Sequence, residues 1–169
     1  MNELELTFPA KAHEIAASEY YREHLTFGED TLHGDSGLDS AESYDIWLEK
    51  INRALHTEIR SIIFFAFRKS DNKMIGTINV RHPYEGYVQI HGHIGYGVRP
   101  SERKKGYATA MLRLALAYCK EIGLEKVLLT CDKSNYASAK TITNCGGIFE
   151  SESLQSDGQL LQRYWIDNL

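Results

Sequence analysis

Apolar positions in the first third of the chain recur at helical spacing. A short candidate strand around Leu4 to Phe8 ends at Pro9, and the segment AKAHEIAASEYYREHL follows. Its apolar positions lie near helical spacing at Ala12, Ile15, Ala16 and Tyr20. After the loop-like HGDSGLDS, a second stripe is formed by Tyr44, Trp47, Leu48, Ile51 and Leu55. Asp39 and Glu42 are spaced as a capping box, so we predict two amphipathic helices here.

The hydrophobic period changes at Ser61. SIIFFAFR and KMIGTINVR, separated by the turn KSDN, predict an antiparallel hairpin. A third strand is expected over at least Ile90 to Val98. A helix is predicted from Gly106 to about Ile122, ended by Gly123, and the short apolar run KVLLT is typical of a strand buried on both faces.

The last part of the chain predicts one more helix and a hairpin. The helix covers Asn135 to Asn144 and is stopped by the pair Gly146 and Gly147, and the hairpin consists of IFESES, a QSDG turn and QLLQRYWI. Strands, helix, strand, helix, strands in this order predict an α+β fold, a mixed α/β sandwich around one sheet. With 169 residues and no repeat or linker, we expect a single domain, 1–169.

Composition excludes several classes of protein. Lys and Arg number 19 against 23 Asp and Glu, and a net charge of −4 argues against a general nucleic-acid binder. The sequence has no apolar run near the roughly 18 residues of a membrane span, and its start lacks the regions of a secretory signal, so we expect a cytoplasmic protein with no membrane partner. Cys119, Cys131 and Cys145 lack zinc-site spacing, which predicts reduced packing residues and no metal.

The stretch HGHIGYGVRPSERKKGYAT contains two glycine patterns. Gly92, Gly95 and Gly97 spell G-x-x-G-x-G, the wrong order for a dinucleotide fingerprint, and they lie inside a predicted strand with no helix terminus. Glycine within a strand marks a bulge, a bend or a close approach to the backbone. This pattern therefore does not predict a phosphate site.

The second pattern, R-x-x-G-x-A, is formed by Arg103, Gly106 and Ala108 at a strand-to-helix junction. Unpaired N–H groups at a helix start bind phosphate, and Gly106 lets the backbone approach a ligand closely. The nearby cations, only partly offset by Glu102, are Arg99, Arg103, Lys104 and Lys105. We therefore predict a pyrophosphate site at this junction.

The run from IGYGVRPSERKKGYAT to NYASAKTITNCGG closely resembles the Gcn5-related N-acetyltransferase (GNAT) superfamily. The match consists of a strand, an R/Q-x-x-G-x-G/A loop, a helix, a strand, and N-x-x-S/A followed after a helix by a glycine pair; it is specific from about Ser61 to Ser153. The resemblance implies a central, mostly antiparallel twisted sheet of about seven strands with about four helices. It also implies that acetyl-coenzyme A is the cosubstrate and that its acetyl group is transferred to a primary amine of a small molecule or protein.

By the same resemblance, individual residues acquire expected roles. Gly95 and Gly97 would open the strand, and the backbone that pairs with the pantetheine arm would be that of Tyr96, Gly97 and Val98. The pyrophosphate would be held by amides of Arg103, Lys104, Lys105, Gly106, Tyr107, Ala108 and Thr109. Asn135 and Ser138 would lie beside the pantetheine.

The tyrosine that donates a proton in many relatives is absent here, because Ile142 occupies its position. Water, Tyr136, Tyr164 or no dedicated acid remain as alternatives. His93 is the candidate base, since imidazole titrates in the useful range, and a hydrogen-bonded strand histidine is the alternative interpretation. The candidates ranked below it are His91, His82 and Glu85.

Two further features have a structural interpretation beside a functional one. Cys145 is interpreted as a packing residue rather than an acyl-accepting nucleophile. The stripe that begins at Tyr44 lines either the core or an acceptor pocket. A binding module that retains the coenzyme site without turnover is the alternative to an enzyme, and strand-edge pairing predicts a possible homodimer.

Overall fold

The computed structural model describes residues 3–56, 60–82 and 85–169. Its strands are β1 (Leu4–Thr7), β2 (Arg60–Arg68), β3 (Lys73–His82), β4 (Ile94–Val98), β5 (Lys126–Asp132), β6 (Ile148–Leu154) and β7 (Leu160–Asp167). Its α-helices are α1 (Glu14–Thr26), α2 (Tyr44–Ala54), α3 (Tyr87–His91), α4 (Tyr107–Glu121) and α5 (Tyr136–Asn144). The predicted mixed fold with about seven strands is confirmed, and the described residues form five α-helices.

The strands form two antiparallel sheets rather than the one sheet that the order predicts. The first has the order β1-β2-β3-β4 and the second β5-β7-β6. They meet at one end, where the His93 N–H donates to the Leu128 carbonyl at 2.7 Å and the Leu128 N–H donates to His93 Nδ1 at 2.9 Å. Gly92 is required at this junction, because a Cβ there would lie 2.8 Å from the Leu128 carbonyl oxygen.

Two apolar cores lie on opposite faces of the first sheet. The larger packs α4 against β2, β3 and β4 and continues into the second sheet through Val127 and Leu129. The smaller packs α1 and α2 on the other face, where Trp47 stacks on Phe65 with ring centroids 5.6 Å apart. The Tyr44 stripe therefore contributes to this second core, in which Trp47 is fully buried and Ile51 is 6% exposed.

Most predicted elements are confirmed, including the hairpin of β2 and β3, the helices α4 and α5 and the final hairpin. The predicted strand over Ile90 to Val98 is wrong in its first half, where α3 ends and Gly92 takes a φ of 78° that interrupts the backbone. In α1 the inward face is Ala17, Tyr20 and His24, whereas Ile15 is 74% exposed.

The predicted cap of α2 is also wrong. Ser43 is the N-cap, and its hydroxyl accepts from the Ile46 N–H at 3.3 Å. Asp39 instead accepts from the Leu32 N–H at 2.8 Å and thereby stabilises the loop before the helix. None of the described helices is both long enough and apolar enough to cross a membrane.

Candidate active site

A cleft of about 1410 Å³ opens where β4 and β5 separate. Its walls include β4, the start of α4, the end of β5, one side of α5 and the segment 29–37, which we call the α1–α2 loop. Every residue predicted to bind the coenzyme lines this cleft except Lys105. The two motifs separated along the chain, R-x-x-G-x-A and the Asn135 to Ser138 turn, therefore meet in one site.

The edge of β4 that faces the cleft presents backbone groups of alternate residues. The Arg81 N–H donates to the His93 carbonyl at 2.7 Å and the Arg99 N–H donates to the Ile75 carbonyl at 2.8 Å, so odd-numbered residues direct their backbone groups towards β3. By this alternation Tyr96 and Val98, rather than Gly97, present N–H and C=O groups at the edge of β4 that faces the cleft. The Val98 carbonyl already accepts from Arg103 Nε at 3.1 Å.

Gly95 and Gly97 have a different use from the expected opening of the strand. A Cβ on Gly97 would lie 2.7 Å from the His33 carbonyl oxygen, and a Cβ on Gly95 would lie 2.9 Å from Asn79 Oδ1. On the loop side, a Cβ on Gly34 would lie 2.5 Å from the Gly95 carbonyl oxygen. These glycines therefore allow the α1–α2 loop to pack directly on β4, and Thr77 Oγ1 fixes it by donating to the His33 carbonyl at 2.8 Å.

The start of α4 has the geometry of an anion site. Gly106 is the N-cap residue with a φ of 82°, in the left-handed region, and Lys104 has a φ of 61°. The next three residues, Tyr107 to Thr109, begin a 15-residue helix whose first amides have no intrahelical partner. Amide dipoles and the helix dipole therefore favour negative charge here.

Most of the cations expected to neutralise a phosphate are paired with carboxylates of the protein. Arg103 binds Glu29 through two hydrogen bonds of 2.5 and 2.6 Å, and Lys105 Nζ lies 2.9 Å from Glu102. Arg99 is buried and bound to Glu23 at 3.0 Å. Lys104 is exposed and forms no ion pair within the described part of the chain, so it is the available cation beside these amides.

A pair of hydroxyl groups connects β4 to α5 in the cleft. Asn135 is the N-cap of α5, and its Oδ1 accepts from the backbone N–H of Ser138 at 3.0 Å, which fixes the first turn of the helix. Ser138 Oγ lies 2.9 Å from the Tyr96 hydroxyl oxygen. Burial raises the pKa of Tyr96 to about 12, so this phenol is protonated at neutral pH.

Tyr136 and Tyr164, the other candidates for a proton donor, do not line the cleft. The position of the tyrosine in many relatives is taken by Ile142, which is fully buried against Gly147 and belongs to the core. Tyr136 is 79% exposed, and Tyr164 is buried with its hydroxyl donating to Gln162 Oε1 at 2.8 Å. Cys145 lies between α4 and α5, with Sγ 3.7 Å from the Thr109 carbonyl oxygen, in agreement with a packing residue.

The histidines differ sharply in position. His93 is only 1% exposed, its Nδ1 accepts from Leu128 in the sheet junction, and burial lowers its pKa to about 4. It is not among the residues that line the cleft, whereas His91 is. Burial and the nearby Arg81 charge lower the pKa of His91, which keeps its imidazole neutral at neutral pH. His82 and Glu85 do not line the cleft.

Sequence reasoning missed one wall of the cleft. Asn79 and Arg81 of β3 line it together with Asp35 and His33 of the α1–α2 loop. A signal was present in KMIGTINVR, where Thr77, Asn79 and Arg81 alternate with apolar residues along the strand. Such alternation indicates a polar face, and here that face borders the cleft.

A family model described as acetyltransferase (GNAT) domain matches residues 10–148. The chain belongs to the GNAT acetyltransferase family. This membership assigns the chain to the N-acetyltransferases. A sequence comparison with curated proteins gave no match. Within the described residues of this GNAT domain, no group of three or more His, Cys, Asp or Glu side chains is arranged to hold a metal ion.

Three solved structures similar to this GNAT domain have low sequence identity to it. A dodecameric spermidine N-acetyltransferase from Vibrio cholerae is 17% identical with a TM-score of 0.71, and the match covers 99% of this chain and 95% of that one. A ribosomal L7/L12 alpha-N-protein acetyltransferase in complex with coenzyme A is 16% identical with a TM-score of 0.75, covering 99% and 95%. A ribosomal-protein-S5-alanine acetyltransferase from Vibrio fischeri is 15% identical with a TM-score of 0.78, covering 99% and 94%. At such identities the likeness shows the fold.

Proposed function

We propose that this GNAT domain transfers the acetyl group of acetyl-coenzyme A to a primary amine of a small molecule or protein, by direct attack on the thioester. The observation that carries the proposal is the convergence of the R-x-x-G-x-A helix start and the Asn135 to Ser138 turn on one cleft between β4 and β5. Such a cleft offers an anion site at one end and a hydroxyl pair beside the separating strands. The anion site suits the pyrophosphate of coenzyme A, and the hydroxyl pair suits the thioester end.

The residues assigned to the coenzyme divide into three groups by chemistry. The pyrophosphate would bind the amides from Arg103 to Thr109, with Lys104 as the nearest available cation. The pantetheine arm would pair with the outward backbone groups of Tyr96 and Val98, as an added strand does. Ser138, in the helical turn that Asn135 caps, would lie beside the thioester end.

In the reaction, a neutral amine attacks the thioester carbonyl, a C–N bond forms and the C–S bond breaks. The amine loses a proton to a base, and the thiolate of coenzyme A leaves with the electron pair of the C–S bond. Tyr96 stays protonated because burial raises its pKa to about 12, so it can donate a hydrogen bond to that thiolate. Ser138 Oγ, 2.9 Å away, orients the phenol.

An assay of thiol release with acetyl-coenzyme A tests this function. Polyamines, aminoglycosides, amino acids and peptides serve as acceptors, and we expect release that depends on an acceptor. Tyr96→Phe, which keeps the ring and removes the hydroxyl, is expected to lower kcat about tenfold or more. Coenzyme binding by calorimetry without acceptor-dependent release would favour the alternative, a non-catalytic binding module.

His91 is the residue that we assign as the base, in place of His93. Its neutral form accepts a proton, and its lowered pKa extends the neutral form to more acidic pH than an ordinary imidazole allows. The rate of the parent protein is expected to fall on the acid side as His91 becomes protonated. His91→Asn is expected to lower kcat/KM about 100-fold and to remove this acid limb.

A pH–rate profile checks this assignment, with the exposed His56→Asn as the matched control that keeps the limb. An acid limb of the same shape in His91→Asn would exclude His91 as the base. His93→Asn is a poor test because it replaces the imidazole Nδ1 that accepts from the Leu128 N–H and so perturbs the sheet junction.

Two earlier expectations remain predictions. Cytoplasmic location is one. The homodimer is the other, and it is supported by the apolar residues that the edge strand β6 exposes, Ile148 at 66% and Leu154 at 71%.

A further inference from the structure

Arg81 lines the cleft and forms no ion pair with any carboxylate among the residues that the structure describes. Its side chain projects from β3 on the face covered by the α1–α2 loop, where Nη2 lies 3.3 Å from the position that a Cβ on Gly95 would take. The guanidinium carbon lies 5.1 Å from the centre of the Tyr87 ring. Its Nε is buried and has no hydrogen-bond partner within residues 3–56, 60–82 and 85–169.

Among the arginines whose side chains the structure describes, Arg68, Arg99 and Arg163 have limited exposure, and they bind the carboxylates of Glu102, Glu23 and Glu150 respectively. The more exposed Arg103 of the cleft binds Glu29. For Arg81 the groups around the guanidinium include the phenol of Tyr87, with which it forms a side-chain hydrogen bond, and the imidazoles of His91 and His93. The Arg81 charge disfavours protonation of both imidazoles. A guanidinium withdrawn from water without a counter-charge is costly, and an anionic ligand lowers that cost.

We propose that Arg81 binds a carboxylate carried by the amine acceptor, so that the substrates of this enzyme are amino acids or related amino carboxylates. This inference rests on the proposed function, because it names the acceptor of that same cleft. Arg81 lies over Gly95, adjacent in β4 to Tyr96, whereas the start of α4 follows the other end of β4. The guanidinium is therefore near the acetyl end of the cleft, away from the phosphate end.

The chemistry of the site favours a carboxylate over a phosphate or a second amine. One guanidinium balances one negative charge and matches the two oxygens of a carboxylate with its planar fork. A phosphate would bring close to two charges to a wall whose other lining groups include Asn79, Tyr87 and the carboxylate of Asp35. A polyamine would place further positive charge beside Arg81, which is unfavourable at this distance.

A bound carboxylate would also assist the base. The Arg81 charge lowers the pKa of His91, and a substrate carboxylate on the guanidinium offsets that charge. The imidazole then becomes a stronger base when the correct acceptor is bound. The carboxamide of the same amino acid is uncharged, so it does not offset the Arg81 charge and does not strengthen the base in this way.

The experiment compares amino acids with their carboxamides in the thiol-release assay, so that each pair shares one side chain and differs by one charge. For the parent protein we expect kcat/KM to favour the carboxylate member about tenfold or more. Arg81→Met is expected to reduce that ratio about tenfold. Arg81→Lys keeps the charge without the planar fork, so its ratio is expected to lie between those of the parent and Arg81→Met. The exposed Arg53→Met is the matched control and keeps the parent ratio.

Several results would overturn the inference. They are a parent ratio near one, a parent preference for polyamines, an Arg81→Met ratio equal to that of the parent, and O-phosphoethanolamine used better than β-alanine. Thermal unfolding tests whether Arg81→Met is folded. If it is not, the acceptor ratio of Arg81→Lys is compared with that of the parent instead.

A second measurement separates this inference from the proposed function. Binding of N-acetylated amino acids is followed by calorimetry in the presence of coenzyme A, and we expect Arg81→Met to weaken it about tenfold. Arg81-dependent binding without thiol release from any acceptor would support the carboxylate site and refute the acetyltransferase function. Thiol release with equal use of both members of each pair would support the function and refute the site.

Discussion

Replacing Gly106 with valine is expected to weaken coenzyme A binding about 100-fold or more. Gly106 is the N-cap of α4 with a φ of 82°, a conformation that a β-branched residue adopts only with strain. The branched side chain would also stand in front of the amides that follow. Loss of two charge-assisted hydrogen bonds, each worth about 1.5 to 3 kcal/mol, accounts for a change of this size.

The control for this experiment is Gly123→Val at the other end of the same helix. Gly123 has a φ of 78°, and a Cβ there would meet no atom within 4 Å, so the substitution introduces a similar backbone strain away from the cleft. Calorimetry with coenzyme A gives the affinities, and thermal unfolding gives the cost to stability. Equal affinity of Gly106→Val and Gly123→Val would exclude the start of α4 as the phosphate site.

The part of the site that the sequence predicted is the part encoded by contiguous residues. Gly106 and Gly123 delimit α4, and Asn135 begins α5, because caps and left-handed glycines act on neighbours a few residues away. The residues predicted to bind the coenzyme follow these signals along the chain, and all of them except Lys105 line the cleft. Composition and periodicity alone did not identify them; the order of motifs did.

The part that sequence reasoning placed differently depends on contacts between distant segments. His93 lies on the predicted strand, but its Nδ1 is taken by Leu128, 35 residues away, which makes it a group of the sheet junction. Glycine is required at positions 95 and 97 because Gly34 and His33 of the α1–α2 loop pack directly against this part of β4. No local pattern carries such information, so the acceptor side of the cleft required the structure.

Removal of the Glu102 charge is the second change with a large expected effect. Glu102 is 4% exposed, and its carboxylate accepts from Arg68 at 2.9 Å, Lys73 at 3.0 Å and Lys105 at 2.9 Å. It connects the β2–β3 hairpin to the loop before α4. Glu102→Gln leaves three cations around a neutral amide, and we expect the free energy of unfolding to fall by about 3 kcal/mol at pH 7.

Urea unfolding measures this loss, with the exposed Glu49→Gln as the control. Glu49 pairs with Arg53 on the surface of α2, where such a pair contributes less than about 1 kcal/mol. Equal stability of the parent and Glu102→Gln would show that the three cations find other partners.

The parent and Glu102→Gln are also expected to differ in how their unfolding free energies depend on pH. Burial raises the pKa of Glu102, but hydrogen bonds from Lys105, Lys73 and Arg68 outweigh it and lower the pKa to about 2. A glutamate in the unfolded chain has a pKa of about 4.3. The Glu102 carboxylate therefore stabilises the fold fully above that pH, and this stabilisation is lost as the pH falls towards 2. The unfolding free energies of the parent and Glu102→Gln should therefore differ at pH 7 and converge between about pH 5 and pH 2. A difference that stays constant over this range would mean that the Glu102 charge does not produce the stabilisation, and that the contacts of its side chain do.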